Sequence, residues 1–426
     1  MRNGVIASRG ACSISAMSES HDNRTGMDRQ ERIWSRMARR LTLDLEARVD
    51  AMKTRPTARR AVIDAYRGYG TDEALRVRGR VILDPGVRPA ERGDRWYVNL
   101  MQAYRRLESD EVPHARVEAR HGTVKTELQA NDEGHFDGVL KLEGEPAGKP
   151  WTTVGLRLLD RAGDPVEAEA SVFVPPKDPR FGIISDMDDT VIRTDARSLW
   201  RMIRLTLFAN AHTRVAFPGV SAFFRALHET AEGEPQNPLF YVSSSPWNLH
   251  DLLEHFLELN DIPEGPLVLR DWGSTEKSLI SKGHHHHKLT AIREILGTYP
   301  HLPFILIGDS GQADPEIYRD VVHEFPKRIL AAYIRDVTPD PMRKQSIRKL
   351  AEEVKAAGSS LVLASDTLAA ARHAAEHGWI PAEVLTDVAG RTGSDRAPER
   401  LSGGPRARHS PTPRATLWRD YTGRFS

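Results

Sequence analysis

The sequence predicts an α/β protein whose main domain is a parallel sheet with helices on both faces. Three short apolar runs support this prediction: residues 183–184, 239–242 and 304–307 are rich in branched and aromatic side chains and too short for helices. Helical patterns alternate with these runs, as is typical of parallel sheets. Because ligands of open α/β sheets bind outside the carboxyl ends of the strands, the polar residues that follow the runs are the first candidates for a functional site.

The alternating region spans residues 180–382, and a region of different character precedes it. Residues 75–176 show two-residue alternation and many β-branched side chains, with turn sequences such as Asp84-Pro85-Gly86 between the runs. These features predict a small antiparallel β-sandwich domain. It carries no catalytic constellation, so we expect it to position a substrate, a membrane or a partner.

Three outer segments complete the predicted organisation. Residues 28–74 are expected to form an N-terminal helical segment, because apolar side chains recur at helical spacing between Trp34 and Val49. Residues 1–27 and 383–426 lack hydrophobic periodicity and are expected to be disordered tails, the second of them basic.

The composition excludes several classes of protein. The chain has 426 residues and a net charge of +1, so no global field indicates specific nucleic-acid binding. A single cysteine, Cys12, rules out an internal disulfide framework and fits a reducing compartment. No stretch has the length of a membrane-spanning helix, and residues 1–27 lack the apolar core of a signal peptide. We therefore expect a cytoplasmic protein.

A dense acidic cluster follows the first apolar run. Asp186, Asp188 and Asp189 lie within four residues and repel one another, so a fold would not select them for stability. A divalent cation would relieve this repulsion, and hard oxygen ligands suit Mg²⁺. A solvated acidic turn is the alternative interpretation, and Asp189 also fits a helix N-cap.

Polar residues also follow the other two runs. Residues 243–245 are serines after the second run, and Asp309 and Asp314 follow the third, beside glycines that allow a sharp turn. Between them, Lys288 begins a helical pattern that leads into the third run. Carboxylates, hydroxyls and an ammonium are thus predicted to meet at one edge of the sheet.

The order of these motifs resembles that of the haloacid-dehalogenase-like (HAD-like) hydrolase superfamily. The pattern is Asp-x-Asp-x-Thr at residues 186–190, then a serine after a strand, a lysine and an acidic Gly-Asp motif. The sequences Asp-Met-Asp-Asp-Thr-Val, Val-Ser-Ser-Ser-Pro-Trp-Asn-Leu, Leu-Arg-Asp-Trp-Gly and Gly-Asp-Ser-Gly-Gln-Ala-Asp-Pro-Glu-Ile-Tyr further resemble the Mg²⁺-dependent phosphatidate phosphatase family first known from a yeast actin-patch protein. The resemblance covers residues 180–340, less than half of the chain.

This resemblance implies a HAD-like Rossmannoid fold and two catalytic carboxylates. Asp186 would be the nucleophile that forms an aspartyl-phosphate, and Asp188 would protonate the leaving oxygen and then activate water. Asp186, Asp188 through its backbone carbonyl, and Asp309 would hold Mg²⁺, with Asp314 as a weaker candidate for the same role.

The remaining motifs are implied to bind phosphate. Ser243 and Lys288 would contact phosphoryl oxygens and offset their developing charge, and Thr190 would fix the turn and contact the phosphate. Lys277 and Lys282 compete with Lys288 for this role. Ser244 and Ser245 compete with Ser243, which is preferred because it directly follows the apolar run.

Two other segments allow alternative interpretations. Residues 284–287 are four histidines, for which a loop with fortuitous histidines is preferred over a metal site. Residues 197–208 predict an amphipathic helix with Leu199, Ile203 and Leu207 on one face and arginines on another. A cap helix packed on its own core is the preferred interpretation of this segment, and contact with an anionic membrane is the alternative.

The sequence thus yields three functional hypotheses. The first is an Mg²⁺-dependent phosphatidate phosphatase, releasing diacylglycerol and phosphate and working in the cytoplasm or at the membrane surface. The second is a phosphatase of the same mechanism that acts on a soluble phosphomonoester. The third is a non-catalytic scaffold, which the clustered, mutually repelling carboxylates disfavour. The sequence does not indicate an oligomeric state.

Overall fold

The computed structural model describes residues 60–84, 111–142, 150–159, 165–187, 219–230, 233–270 and 280–394. The contacts within the chain divide it into two compact units, with the boundary after Arg60. All helices and strands described below belong to the unit that begins at Ala61. The described residues of this unit form two sheets, a seven-stranded one and a six-stranded one. We call them the mixed sheet and the parallel sheet.

The mixed sheet comes first in the chain. Its strands are β1 (Ala61–Gly70), β2 (Ala74–Leu83), β3 (Arg116–His121), β4 (Val124–Gln129), β5 (His135–Lys141), β6 (Trp151–Leu158) and β7 (Glu167–Phe173). The strand order is β4-β3-β6-β7-β1-β2-β5. All neighbours are antiparallel except β1 and β7, which run parallel with Gly68 opposite Val172.

Strand β1 corrects the predicted helical segment 28–74. Residues 61–70 pair with β2 in a long antiparallel ladder, interrupted by one irregularity between Tyr66 and Tyr69. The helical spacing that motivated the prediction lies between Trp34 and Val49, outside the described residues. Valine, isoleucine and two tyrosines favour a strand after residue 60, and this local preference was missed.

A second correction concerns the predicted β-sandwich over residues 75–176. The described strands form one sheet that includes β1, rather than two antiparallel sheets packed face to face. Inward side chains from all seven strands share a single apolar cluster, so the sheet curls around its own core. Members of that cluster include Ile63, Leu75, Val117, Leu128, Phe136, Leu156 and Val172. Alternation of apolar and polar residues within a strand predicts that one face of the strand is buried. It does not predict whether that face packs within one curled sheet or between two sheets.

The parallel sheet confirms the predicted α/β architecture. Its strands are β8 (Gly182–Asp186), β9 (Leu239–Pro246), β10 (Leu267–Arg270), β11 (Phe304–Asp309), β12 (Ile329–Arg335) and β13 (Leu361–Ala364). The order is β10-β9-β8-β11-β12-β13, and every neighbouring pair is parallel. The three apolar runs of the sequence are β8, β9 and β11, so all three runs are strands.

Seven described helices accompany the parallel sheet. They are α1 (Val220–His228), α2 (His250–Leu259), α3 (Ile280–Thr298), α4 (Asp314–Glu324), α5 (Pro341–Ala356), α6 (Thr367–Glu376) and α7 (Val384–Ser394). Ile184, Phe240 and Leu306 face α3, α4 and α5, while Ile183, Leu239 and Ile305 face α1, α2, α6 and α7. Helices therefore cover both faces, as predicted, because successive strand residues point to opposite sides.

Two of these helices correct sequence interpretations. Helix α3 begins eight residues before Lys288, so the histidines at 284–287 lie within a helix and not in a loop. Helix α7 lies inside the region 383–426 that was predicted to be a disordered tail. Val388 is fully buried in the core there, flanked by Val384 and Leu385. The apolar stripe of α7 is only about one turn long, too short to stand out from the basic sequence after it.

The two sheets pack directly on each other through aromatic and ionic contacts. Tyr66 of β1 stacks on Trp247 with ring centroids 4.9 Å apart and an interplanar angle of 2°. Tyr69 meets Phe240 edge to face at 5.3 Å, and the Tyr299 hydroxyl donates to the Gly70 carbonyl at 3.0 Å. The mixed sheet is thus part of the same packed unit as the parallel sheet.

Several predicted segments lie outside the described residues. These are the N-terminal tail 1–27, the helical pattern up to residue 59, the amphipathic segment 197–208 and the basic tail after residue 394. Within the described ranges, no helix combines the length and apolar character needed to span a bilayer.

Burial of His228 predicts a pH dependence of stability. His228 is 4% exposed, and its Nδ1 donates to the Asn237 carbonyl at 2.6 Å. Burial lowers its pKa, so the native state keeps the ring neutral while the unfolded chain takes up a proton below a pH of about 6.5. Stability should therefore fall as the pH drops below that value, and His228→Gln should reduce this fall.

Denaturant unfolding at two pH values, about one unit above and one unit below 6.5, tests the effect. The matched control is His301→Gln, since His301 is exposed and should leave the pH dependence unchanged. An undiminished pH dependence in His228→Gln would contradict the assignment.

Candidate active site

Strand register brings the predicted functional residues to one edge of the parallel sheet. Asp186 is the partner of Val242 across β8 and β9, so Ser243 follows directly beside it. On the other side, Ser185 is the partner of Ile307, which places the end of β11 next to Asp186. Because all three strands are parallel, their carboxyl ends meet at this edge.

Lys288 lies between two carboxylates at this edge. Its Nζ is 2.6 Å from Asp186 Oδ1 and 3.0 Å from Asp314 Oδ1, and it donates to Gln312 Oε1 at 3.4 Å. The lysine is 3% exposed, and a buried ammonium requires such partners. Of the three candidate lysines, Lys277 lies outside the described residues and the side chain of Lys282 is not described.

Three carboxylates form a cluster that fits a divalent cation. One oxygen each from Asp186, Asp309 and Asp314 lies within 4.8 Å of the others. Lys288 contacts Asp186 and Asp314, and the charge of Arg343 also acts on Asp309 and Asp314, so the three carboxylates share these two nearby cations. Hard carboxylate oxygens with excess negative charge are the donor set that Mg²⁺ prefers.

The Asp309 carboxylate is held by the loop that follows β11. Its Oδ1 accepts from the backbone N–H groups of Gly311 at 2.6 Å and Gln312 at 3.2 Å. Such bonds fix the orientation of the side chain toward the cluster. This fixed orientation suits Asp309 to metal ligation.

Asp314 is organised differently. Its Oδ1 accepts from Lys288 and its Oδ2 accepts from the Asp309 backbone N–H at 3.1 Å, and the side chain is fully buried. One Asp314 oxygen thus holds the Lys288 ammonium in place, and the other holds the backbone at Asp309. This geometry favours an orienting role for Asp314 over direct metal ligation, in keeping with its weaker standing as a ligand in the sequence.

The serines after β9 form a buried turn. Ser243, Ser244 and Ser245 are at most 2% exposed, and Ser243 Oγ accepts from the Ser245 N–H at 3.0 Å. The position beside Asp186 agrees with the predicted preference for Ser243 as a phosphate ligand, and that role stays a prediction.

Arg343 is a site residue that sequence reasoning missed. Its guanidinium donates to the Ser310 carbonyl at 3.1 Å, to the Gln312 carbonyl and to both Glu316 oxygens, so it clamps the loop that carries Asp309. The hydrogen bond to Glu316 raises the pKa of Arg343 above its ordinary value. Arg343 lies on α5, beyond a further strand, and no local pattern marks it.

Gln312 was also missed, although it stands in the quoted Gly-Asp-Ser-Gly-Gln motif and could have been noticed there. The predicted acid and base Asp188, the N-cap candidate Asp189 and the phosphate contact Thr190 lie outside the described residues. Their assignments stay predictions.

Comparison with known proteins identifies the segment that carries this site. Residues 181–336 match the family of the phosphatidate phosphatase APP1 catalytic domain. The matched segment begins at β8 and ends after β12, so it contains every described residue of the carboxylate cluster and Lys288, but neither Arg343 nor the mixed sheet.

Two relatives align with the same part of the chain. Phosphatidate phosphatase APP1 of Saccharomyces cerevisiae is 35% identical over 159 residues, covering 36% of this chain and 26% of that protein. An uncharacterized protein of Schizosaccharomyces pombe is 34% identical over 165 residues, covering 38% and 26%. The alignments thus span about a quarter of the length of each relative.

Similarity to solved structures is weak. A carbohydrate acetylesterase from Xanthomonas citri aligns with 67% of this chain and 72% of its own, at 11% identity and a TM-score of 0.22. A similarity at this level carries no argument about fold or function.

Close packing at Gly308 yields a prediction for the site. A Cβ at this position would lie 2.5 Å from Asp314 Oδ2 and 2.8 Å from Asp314 Cβ. Gly308→Ala should therefore displace Asp314 from Lys288 and lower the free energy of unfolding by about 1–3 kcal/mol. Chemical denaturation measures the loss.

The matched control is Gly297→Ala in helix α3, where nothing lies within 4 Å of an added Cβ. This change should stabilise the protein by up to about 1 kcal/mol, because alanine favours the helix. Equal stability of Gly308→Ala and the wild type would show that Asp314 is not held as tightly as described.

Proposed function

We propose that this protein is an Mg²⁺-dependent phosphatidate phosphatase that works through an aspartyl-phosphate. The observation that carries the proposal is the contact of Lys288 with Asp186 within a cluster of three aspartates at the carboxyl edge of the parallel sheet. A nucleophile, a phosphate-binding cation and a metal-binding set are the parts that phosphomonoester hydrolysis needs at one place. Membership of residues 181–336 in the APP1 family supports the same reaction.

The first chemical step is attack on phosphorus. An oxygen of Asp186 forms a bond to the phosphorus atom as the bond to the ester oxygen breaks, leaving an acyl phosphate on Asp186. Asp188 in its acidic form gives its proton to the departing alkoxide, so that an alcohol leaves. Lys288 Nζ and Ser243 Oγ donate to the phosphoryl oxygens, whose charge shifts during transfer.

The second step releases phosphate. Asp188, now ionised, takes a proton from water, and the water oxygen attacks phosphorus as the bond to Asp186 breaks. Inorganic phosphate leaves, and both carboxylates return to their starting forms. Asp314 keeps Lys288 in place throughout, because it contacts the lysine and the Asp309 backbone together.

Asp186, Asp309 and the Asp188 carbonyl would hold the Mg²⁺ ion. When bound, the ion would offset the negative charge on the carboxylates and the phosphoryl group. The residues fit it, since the described carboxylate oxygens converge within 4.8 Å and exceed the positive charge beside them. A HAD-like arrangement of the domain belongs to the same proposal and is supported by the motif order on β8, β9, α3 and β11.

Phosphatidate is favoured over a soluble phosphomonoester by the name of the Saccharomyces cerevisiae relative. With a lipid substrate, the protein would work in the cytoplasm and at the surface of anionic membranes. The arginine-rich segment 197–208 would make that contact, and it lies outside the described residues.

Phosphate release tests the proposal. We expect the wild-type protein to release phosphate from phosphatidate in mixed micelles with Mg²⁺, to lose this activity in EDTA, and to prefer phosphatidate over a panel of soluble phosphomonoesters. Release from soluble esters alone would retain the mechanism and reject the lipid substrate. Activity that is unchanged in EDTA would reject the metal.

Replacement of the nucleophile gives the sharper prediction. Asp186→Asn keeps the size of the side chain and removes the attacking carboxylate, so kcat should fall by at least about 10³-fold. The matched control is Asp366→Asn, at the same edge of the sheet after β13, where the side chain caps α6 by accepting from Ala369 N–H at 2.8 Å. Asparagine caps equally well, so this variant should retain full activity. Near-normal turnover by Asp186→Asn would reject the nucleophile assignment.

A further inference from the structure

A cavity of about 630 Å³ lies between the mixed sheet and the parallel-sheet domain. One wall comes from β2 and β5, and the other from β10, α3 and the segment after β9. Lining residues include Arg78, Phe136, Trp247, Arg270 and Glu294. The volume is in the range of small-molecule sites.

The cavity adjoins the candidate active site without containing it. Trp247 follows Ser243 by four residues, and His287 directly precedes Lys288; both line the cavity. Arg270, at the end of β10, is the partner of Pro246 in the strand register. Residues close in sequence to Ser243 and Lys288 therefore line this space.

Two buried donors line the cavity with unused hydrogen-bonding capacity. Arg78 is 3% exposed, and its Nε donates to Asp137 at 2.9 Å while Nη2 lies 3.5 Å from Glu294. Its Nη1 is buried and has no hydrogen-bond partner within the described ranges. The Tyr66 hydroxyl, on a side chain that is 2% exposed, is in the same situation. Buried donors of this kind require an acceptor.

The charges around these donors nearly cancel. Arg76 and Arg78 pair with Asp137 and Glu294, and only Arg270 adds to the positive side among the lining arginines and carboxylates. Burial opposes the ionisation of Asp137, but the nearby Arg78 and Arg76 outweigh it and lower the Asp137 pKa, so the carboxylate stays charged. A second phosphate would find little net attraction here, whereas a neutral acceptor fits the free donors.

Half of the remaining lining residues are apolar, and the others are the polar Gln129, Asn131, Thr290, His135, His286 and His287. Trp247, Phe136, Val268 and Ala291 supply flat or aliphatic surface, and the guanidinium of Arg78 lies 5.8 Å from the Trp247 ring centroid. A suitable ligand thus combines carbonyl oxygens with hydrocarbon. The Asp137 carboxylate already accepts from Arg76 and Arg78, so it offers little to the hydroxyl groups of a polyol.

We propose that this cavity binds the glycerol diester part of the substrate, with Arg78 and Tyr66 donating hydrogen bonds to its ester carbonyl oxygens. The inference rests on the proposed phosphatase function and assigns substrate selectivity to the mixed sheet. The ester-bearing lipid is thereby distinguished from glycerol 3-phosphate, which carries the same phosphomonoester but no ester carbonyl.

The test uses the full chain with dihexanoyl phosphatidate, which is short enough to stay monomeric, and with glycerol 3-phosphate. Tyr66→Phe and Arg78→Lys should each raise the KM for dihexanoyl phosphatidate about 10-fold, the loss of one hydrogen bond, with kcat nearly unchanged. Both variants should leave the kinetics of glycerol 3-phosphate as in the wild type. The Tyr66 hydroxyl has no hydrogen-bond partner within the described ranges, so the Tm of the Tyr66→Phe variant should not fall.

Two matched controls separate binding from folding. Tyr241→Phe removes a buried hydroxyl that donates to the Pro263 carbonyl at 2.8 Å, and Arg328→Lys alters a half-buried arginine that donates to the Leu302 carbonyl at 3.1 Å and to the Tyr299 carbonyl at 2.7 Å. Neither residue lines the cavity. Both controls should lower Tm and leave the KM for dihexanoyl phosphatidate unchanged.

Binding of dihexanoyl glycerol, measured by calorimetry, makes the inference testable apart from catalysis. Binding that weakens in Tyr66→Phe supports the site, even if the wild type releases phosphate from neither substrate and the proposed function therefore fails. Absence of binding, an unchanged KM in both cavity variants, or an equal rise in KM for glycerol 3-phosphate overturns the inference.

Discussion

The candidate site depends on one buried ammonium. Lys288 Nζ lies between Asp186 and Asp314, and without it three carboxylates at one edge of the parallel sheet would repel one another. The position of the lysine is set by the core, because Ile292 and Ile295 of the same helix are buried against the parallel sheet. A buried ion pair adds little net stability, yet removal of one partner costs about 3–5 kcal/mol. The arrangement therefore specifies geometry more than it stabilises the fold.

The strand register sets the positions of the other residues of the site. Ile183 and Ile184 bury opposite faces of the parallel sheet, so a slip of one residue in β8 would expose one face and bury the wrong side chains. The same register fixes Asp186 beside Ser243 and the end of β11. At that end Arg343 holds the loop carbonyls, and the loop N–H groups in turn hold Asp309. Core packing thus sets the strand register, and the hydrogen bonds of Arg343 and of the loop N–H groups then fix the Asp309 carboxylate.

Features that depend on residues close in sequence could be predicted, whereas contacts between residues far apart in sequence could not. The parallel sheet and its strand-end residues were predictable, because short apolar runs followed by polar residues are local signals. Strand β1 was missed because an apparent helical pattern before residue 60 was extended past that residue. Helix α7 was missed because its apolar stripe is only about one turn long. Arg343 reaches the site only through the tertiary fold. The fully buried position of Asp314, with both oxygens bonded, likewise appears only in three dimensions.

The division between the matched segment and the rest of the chain separates two physical tasks. Residues 181–336 contain the carboxylates and Lys288, whose chemistry depends only on the phosphate group. Strands β1 to β7 lie before that segment, and they reach its surface through the Tyr66–Trp247 stack and the pairing of Arg76 and Arg78 with Glu294. Under the proposed function, the part of a substrate that lies beyond its phosphate would meet this second surface. The catalytic motifs would then indicate the bond that is broken, whereas the packing of the mixed sheet on α3 would determine what the phosphate can be attached to.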